Sequence, residues 1–361
     1  MSRPQVLFVT GEYPPLPGGV GDYTANLRMA LAAMGARTHV LTSHGGAGEG
    51  VVTVRRWGWS SAGRVLQIAR REQADIVHIQ YQAGAFGMHP AVNLLPSFVS
   101  RRLPVVTTFH DLRVPYLFPK AGRLRKSAIL RMARGSDAVI VTNPADARAL
   151  GNEGVEVQQT RIGPNLPPPG PTGVPEHDTV AFFGFPARSK GIVELLQALG
   201  RLPDPRPRLL LVGAQGQPSP ENDIVSIDEI DQLAARSAIV IQRTGFLPPR
   251  KASDALARAG AIVLPFRDGA SLRSGSLLAA LQSGRPVVST APRHASDLEA
   301  LADLPQLALV RTGDPDALAS SISRALRWTG ATAPLPSEFR WQSIATAHEA
   351  LYRRLLDERR R

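Results

Sequence analysis

The 361-residue sequence predicts an α/β chain made of two doubly wound parallel-sheet domains. Three observations carry this. Short apolar runs alternate with helix-length segments from one end to the other. The runs are continuous rather than alternating, as strands covered on both faces require. One proline-rich break, "GPNLPPPGPTGVP" at residues 163–175, divides the series into two parts of similar length. Proline has a fixed φ and no N–H, so this stretch continues neither a helix nor a central strand and reads as a semi-rigid spacer. Strand–helix alternation gives right-handed crossovers and hence parallel sheets.

Before the break the strands are "QVLFVT", "THVLTS", "DIVHIQY", "VVTTF" and "AVIVT". After it come "TVAFFG", "RLLLVG", "AIVIQR", "AIVLPF", "PVVST" and "LALVR". The first strand runs into "GEYPPLPGGVGDYTANLRMALAAMG", where Asp22 is placed to cap a helix. That helix has Leu27, Leu31 and Met34 on its apolar side and stops at Gly35. The last segment, "RWQSIATAHEALYRRLL", is an amphipathic helix with Ile344, Ala347, Leu351 and Leu355 on one side. Domains are expected at 1–165 and 176–335, followed by a terminal helix at 336–361. Two such domains imply a cleft faced by both sets of strand ends.

Hydrophobic residues at 43% and charged residues at 20% are ordinary for a folded chain. There is no cysteine, which excludes a disulfide framework and a thiolate metal site. Met1 to Thr10 is strand-like and lacks the layout of a signal peptide, and no apolar run approaches the roughly 18 residues that span a bilayer. A cytoplasmic chain is expected. The net charge of +12 comes from arginines scattered among alanines and glycines, with no aromatic stacking row, so nucleic acid is not an expected partner. The densest basic stretch is "KAGRLRKSAILRMAR". Its Lys120, Arg123, Arg125, Lys126, Arg131 and Arg134 have no acidic neighbour in sequence, and Leu124, Ile129 and Met132 form a partial apolar face. It reads either as a solvated basic helix or as a peripheral patch against an anionic membrane, at its inner face.

Four stretches carry candidate chemistry. In "VTTFHDLRVPY", His110 and Asp111 fall at the C-terminal end of a strand, where open α/β sheets bind ligands. A histidine there is either a reacting group or a polar residue closing the strand. Gly18, Gly19 and Gly21 let the backbone approach an anion or sugar, or form a plain flexible loop. No G-x-G-x-x-G sits at that turn, which disfavours a nicotinamide dehydrogenase. In "TVAFFGFPARSKGIVELLQAL", a strand ends at Gly184 and Arg188 and Lys190 precede a helix from Ile192. Cations beside a helix N-terminus suit a diphosphate, though solvated loop charges look the same. In "VLPFRDGASLRSGSLLAALQSGRPVVST", a strand ends at Phe266 and a helix starts near Gly275. Amides of Ser274, Gly275 and Ser276 suit phosphate oxygens there, and Arg273 adds charge.

Taken in order, "GEYPPLPGGVGDY", "FHD", "FFGFPARSKG", "TGFLPPRKASDALARAGAIVLP" and "LLAALQSGRPVVST" resemble the retaining, nucleotide-sugar-dependent glycosyltransferases of family four. The resemblance covers nearly the whole chain. It implies the GT-B fold of two Rossmann-like domains, the first holding the acceptor and the second a nucleoside diphosphate sugar, with the final helix crossing back. It implies that Gly18 and Gly19 lie near the donor phosphates and the acceptor, and that His110 is the active-site histidine, oriented by Asp111 or merely followed by it as a cap. Lys190 matches the lysine that holds the diphosphate, beside Gly184. The segment Thr244 to Leu247, with Gly245 and Phe246, matches the frame of the nucleobase. Tyr13, Asp22, Tyr81 and Gln82 are the expected acceptor residues. Fixed cations and amides stabilise the departing diphosphate, with no metal or cofactor.

Two departures from the family stand out. Phe185 occupies the place of an arginine, for which Arg188 is expected to stand in. The family's two glutamates, eight positions apart, fall on Ser271 and Ala279, with Asp268 nearby. The expected function is retaining sugar transfer to a glycan, lipid-linked or small-molecule acceptor. The alternative is an impaired homologue that binds a nucleotide sugar or a partner transferase. An epimerase would need cleft acids that the sequence lacks.

Overall fold

Val6, Leu7, Phe8 and Val9 are all fully removed from solvent, which consecutive residues of a strand achieve only when both sheet faces are covered. Such runs build two parallel sheets in the computed structural model, which describes residues 3–16, 18–112, 122–171, 174–213 and 223–361. Lys120 lies outside the described residues, as does the side chain of Arg123. The chain divides into one unit of residues 1–163 with 338–361 and a second of residues 164–337.

The first unit carries β1 (Gln5–Thr10), α1 (Gly19–Ala33), β2 (Arg37–Ser43), β3 (Val51–Val54), α2 (Ser61–Arg71), β4 (Ile76–Tyr81), α3 (Leu95–Val99), β5 (Val105–Phe109), α4 (Gly122–Arg134), β6 (Ala138–Val141), α5 (Pro144–Gly151) and β7 (Gln158–Gln159). Among the described residues its sheet runs β3-β2-β1-β4-β5-β6-β7, with every pairing parallel. β3 and β7 extend the predicted set. β3 is the short run VVTV after a glycine-rich stretch, whereas β7 is two glutamines and shows no apolar run.

The second unit carries β8 (Glu176–Phe183), α6 (Ile192–Gly200), β9 (Arg208–Val212), α7 (Ile227–Arg236), β10 (Ile241–Arg243), α8 (Pro249–Arg258), β11 (Ala259–Leu264), α9 (Gly275–Gln282), β12 (Val287–Thr290), β13 (Leu307–Val310) and α10 (Pro315–Leu326). Its described strands run β10-β9-β8-β11-β12-β13, again all parallel. β10 starts later than predicted because Ala238 ends the preceding turn at φ 50°. β11 stops at Leu264 and not at Phe266, since Pro265 has no N–H for the ladder.

α11 (Trp341–Arg360) returns to the first unit and packs on α1. Its buried face holds Ile344, Ala345, His348, Leu351, Tyr352 and Leu355. Ala347, expected on that face, is only partly covered, and polar His348 and Tyr352 take places in it. One face of the first sheet packs Leu7, Val9, Val77, Ile79 and Phe109 against α2, α3 and α4. The other packs Val6, Phe8, Ile76 and Val106 against α1 and α11. Each fully buried leucine or phenylalanine contributes about 1.5–3 kcal/mol. Strand alternation therefore sends His78 and Gln80 of β4 toward the α1–α11 side. In each sheet the strand order reverses once, at β1–β4 and at β8–β11, and loops at the C-terminal ends beside such a reversal are where open α/β sheets bind ligands.

Candidate active site

The loop leaving β1 caps α1 from outside the helix. Glu12 Oε1 accepts the N–H groups of Val20 at 2.9 Å and Gly21 at 3.1 Å, which satisfies donors that the first helical turn leaves open. A Cβ on Gly18 would run into this carboxylate, so glycine is needed there for a side chain's close approach. Asp22 does not cap the helix as predicted. It lies within the first turn, its N–H bonded to Gly18 O at 3.0 Å. Burial, with Glu12 nearby, pushes the Asp22 carboxyl up to about 6, and burial also raises Glu12. Gly19 borders open space. The helix start thus carries a carboxylate of its own. Tyr13 is a core residue whose hydroxyl accepts from Arg28 Nη1 at 3.3 Å.

β5 delivers His110 to the end of the sheet, with its N–H on Tyr81 O at 3.1 Å. Its Nε2 meets Gln80 Oε1 at 2.7 Å, and the ring stands edge-on to Tyr23 of α1, centroids 4.7 Å apart. The partner of the imidazole Nε2 is therefore the amide oxygen of Gln80 on β4, a residue not among those expected to orient the ring. Gln80 Nε2 reaches His78 Nε2 at 3.2 Å; that nitrogen also meets Thr108 Oγ1 at 2.7 Å, and His78 Nδ1 meets the Tyr352 hydroxyl at 2.6 Å. Beside this chain, Tyr23 OH lies 3.4 Å from His348 Nε2, and His348 Nδ1 donates to Ile344 O at 2.8 Å. Burial, with neighbouring His348, lowers His110 to about 3; burial lowers His348 to about 4 and His78 well below its ordinary range. All three rings are neutral at neutral pH. Of the expected acceptor residues on β4, Tyr81 is a core residue whose hydroxyl accepts from Asn93 Nδ2 at 2.9 Å, while Gln82 is half-buried just past the strand. Tyr81 also borders an apolar pocket of about 210 Å³ with Phe86, His89, Leu124 and Ile129.

In the second unit, β8 ends at the switch point and Gly184 follows with φ 114°, where a Cβ would come within 2.8 Å of Lys190 Nζ. Lys190 is half-buried and has no carboxylate partner among the described residues; desolvation lowers its pKa. Arg188, expected to stand in for the arginine missing at Phe185, is engaged elsewhere. Its Nη2 donates to both carboxylate oxygens of Glu229, at 2.5 and 2.7 Å. The loop after β11 leads to α9, whose N-cap Ser274 accepts from Leu277 N at 3.3 Å and meets Ser276 Oγ at 3.0 Å. Gly275 and Arg273 flank this cap, and Ser271 Oγ accepts from Arg273 N at 3.3 Å. Ala279 is buried on α9, and Asp268 is ion-paired with Arg293. Gly245 takes φ 63°, Phe246 is 77% exposed, and Thr244 and Leu247 line a pocket of about 440 Å³ with Leu210, Lys251 and Asp254.

On α4, Ile129 and Met132 are core residues, whereas Leu124 is 76% exposed and belongs to no core face. An acid missing from the local sequence arrives from beyond α5: Glu153 pairs with Lys126, and its carbonyl accepts from Arg134 at 3.1 Å. No described helix is long and apolar enough to cross a membrane.

Two doubly wound parallel units, each with its loops gathered at a switch point, are the architecture of GT-B glycosyltransferases. Sucrose-phosphate synthase from Thermosynechococcus elongatus superposes with a TM-score of 0.68 at 20% identity, over 99% of this chain and 100% of that one. The Anabaena protein HepE in complex with UDP-glucose gives 0.67 at 19% identity, over 98% of each chain. A glycosyltransferase from Rickettsia africae gives 0.63 at 16% identity, over 99% of this chain and 94% of that one. Residues 17–166 match the family model described as Glycosyltransferase Family 4, and residues 177–327 match Glycosyl transferases group 1. No curated protein matches the sequence. The chain belongs to the family 4, group 1 glycosyltransferases, and it is a transferase of sugars.

Proposed function

We propose that the protein moves a sugar from a nucleoside diphosphate sugar to a hydroxyl of a glycan, lipid-linked or small-molecule acceptor, with retention at the anomeric carbon. Lys190 carries this reading. A half-buried ammonium with no described carboxylate partner is destabilised by desolvation, and a bound diphosphate supplies the missing charge. The start of α9 lies after β11, the strand beside β8 at the same switch point, and its Gly275 and Ser276 amides supply hydrogen bonds of the same sign. Gly245, Phe246 and Leu247 frame the nucleobase. HepE, similar in fold, was solved with UDP-glucose, which supports a uridine nucleotide as the first to try.

In this reaction the bond from the anomeric carbon to the diphosphate breaks and the acceptor oxygen bonds to that carbon on the same face. The acceptor proton passes to an oxygen of the departing diphosphate. Lys190 and the helix amides stabilise the growing negative charge and no metal is required. His110 contacts the transferred sugar. Being neutral, it positions and does not clamp phosphate. Asp22 and Gln82 are the acceptor contacts that remain available in the first unit, since the hydroxyls of Tyr13 and Tyr81 are engaged. Exposed Leu124 and the arginines of α4 are proposed to rest against an anionic membrane surface. Calorimetric titration of nucleoside diphosphates into wild-type and Lys190→Ala protein tests the donor site.

A further inference from the structure

We infer that Gln80, itself held by His78 and, through His78, by Tyr352 of the C-terminal helix, positions His110 by fixing it as the Nε2–H tautomer, which leaves Nδ1 as a hydrogen-bond acceptor for a hydroxyl of the transferred sugar. The inference rests on the reading of His110 as a sugar contact and adds the direction of that contact. An amide oxygen only accepts and an amide nitrogen only donates. Gln80 presents Oε1 to His110 Nε2 at 2.7 Å, so that ring nitrogen carries the hydrogen. Gln80 presents its nitrogen to His78 Nε2 at 3.2 Å, so that atom is a lone pair, and Thr108 Oγ1 at 2.7 Å donates into it as well. The hydrogen of His78 then sits on Nδ1 and is donated to Tyr352 OH at 2.6 Å.

Gln80, His78, Thr108 and Tyr352 are fully buried, so water cannot stand in for a lost partner. Turning the amide of Gln80 alone would set donor against donor on one side and lone pair against lone pair on the other. Such a mismatch is held off by the penalty for a buried unsatisfied group, and the whole chain reverses only in concert. Tyr23, edge-on at 4.7 Å, holds the plane of the His110 ring, and His348 backs Tyr23 from α11. Nδ1 of His110 has no partner among the described residues. Two residues of the last helix thereby support a ring at the end of β5.

The test is long-range ¹H–¹⁵N spectroscopy of the full-length protein labelled at histidine, with His110→Ala for assignment. At pH 7 His110 is expected to be protonated on Nε2 and His78 on Nδ1. Gln80→Glu replaces the donating nitrogen with a carboxylate oxygen. It is expected to raise the His110 pKa by about two pH units, since a neighbouring negative charge favours the imidazolium, and to move the His78 hydrogen to Nε2. Tyr352→Phe removes the acceptor for His78 Nδ1–H and is expected to turn the single His110 tautomer into a mixture, with nucleoside diphosphate affinity unchanged. Wild-type His110 protonated on Nδ1 overturns the inference. So does a His110 signature that neither variant moves, even if both lower the melting temperature, because a merely structural role would do only that. Failure of wild-type protein to bind any nucleoside diphosphate would sink the donor-site reading and leave the tautomer result standing.

Discussion

Arg188 sets one guanidinium nitrogen against both carboxylate oxygens of Glu229, at 2.5 and 2.7 Å. Glu229 stands in the first turn of α7, where its charge also complements the helix dipole. The pair is half-exposed and contributes only modestly to stability. Its consequence is for binding, because the cation nearest Lys190 in sequence is already occupied. Arg188→Ala is expected to weaken nucleoside diphosphate binding by less than about tenfold, or 1.4 kcal/mol. Glu229→Gln, which releases the guanidinium, is expected to strengthen it. Calorimetry on the two variants checks both signs.

Stability should depend on pH through three histidines, of which His78 and His348 are fully buried and His110 partly so. His110, His348 and His78 have depressed pKa values in the folded state, so the unfolded chain binds more protons below about 6.5, the ordinary histidine value. Their neutral forms cost nothing above that pH. Stability is lost as pH falls toward about 4, each ring contributing up to about 1.4 kcal/mol per pH unit. Asp22 acts in the opposite direction: raised to about 6, it favours the fold most when protonated and loses that contribution as pH rises from about 4 to 6. Asp22→Asn should therefore steepen the acid side of the stability profile, by about 1–2 kcal/mol after allowance for solvent screening. Denaturant titrations at pH 4.5, 5.5 and 6.5 give the slopes.

His110→Ala is expected to lower kcat about a hundredfold, the scale of losing one preorganised polar contact, with nucleotide affinity near wild type. A contact made mainly in the transition state changes kcat, whereas uniform binding changes only KM. Initial rates with a nucleotide sugar and an acceptor separate the two. Normal turnover would make His110 a residue that merely closes its strand.

The fold was legible because continuous apolar runs mark covered strands, and the proline-rich stretch lies where the chain passes from one unit to the other. What stayed hidden were partnerships made by tertiary structure. Gln80 looked like part of a buried strand, and only the register of β4 against β5 brings it to His110. Asp22 looked like a cap because caps are local, yet Glu12 reaches the same amides from the loop ahead. Arg188 looked free because Glu229 is forty-one residues away in sequence. His348 and Tyr352 were hidden by a helix pattern that counts apolar positions and overlooks buried polar ones.

The basic helix α4 yields a separate expectation. If Leu124 and the arginines of α4 rest on an anionic surface, the protein should sediment with phosphatidylserine-containing vesicles at low salt. It should be released as salt rises, because exposed charges are screened over about 8 Å at physiological ionic strength. Leu124→Ser should weaken that sedimentation. No binding at low salt would leave α4 a solvated helix.

On the proposed function, the second unit holds a diphosphate at Lys190, beside Gly184. Titration calorimetry of a nucleoside diphosphate, uridine diphosphate first, into wild-type and Lys190→Ala protein tests it most directly. Binding to the wild type and a loss of about 1.5–3 kcal/mol in the variant are expected, the range for a hydrogen bond to a charged group. Equal affinity in the two proteins would contradict it.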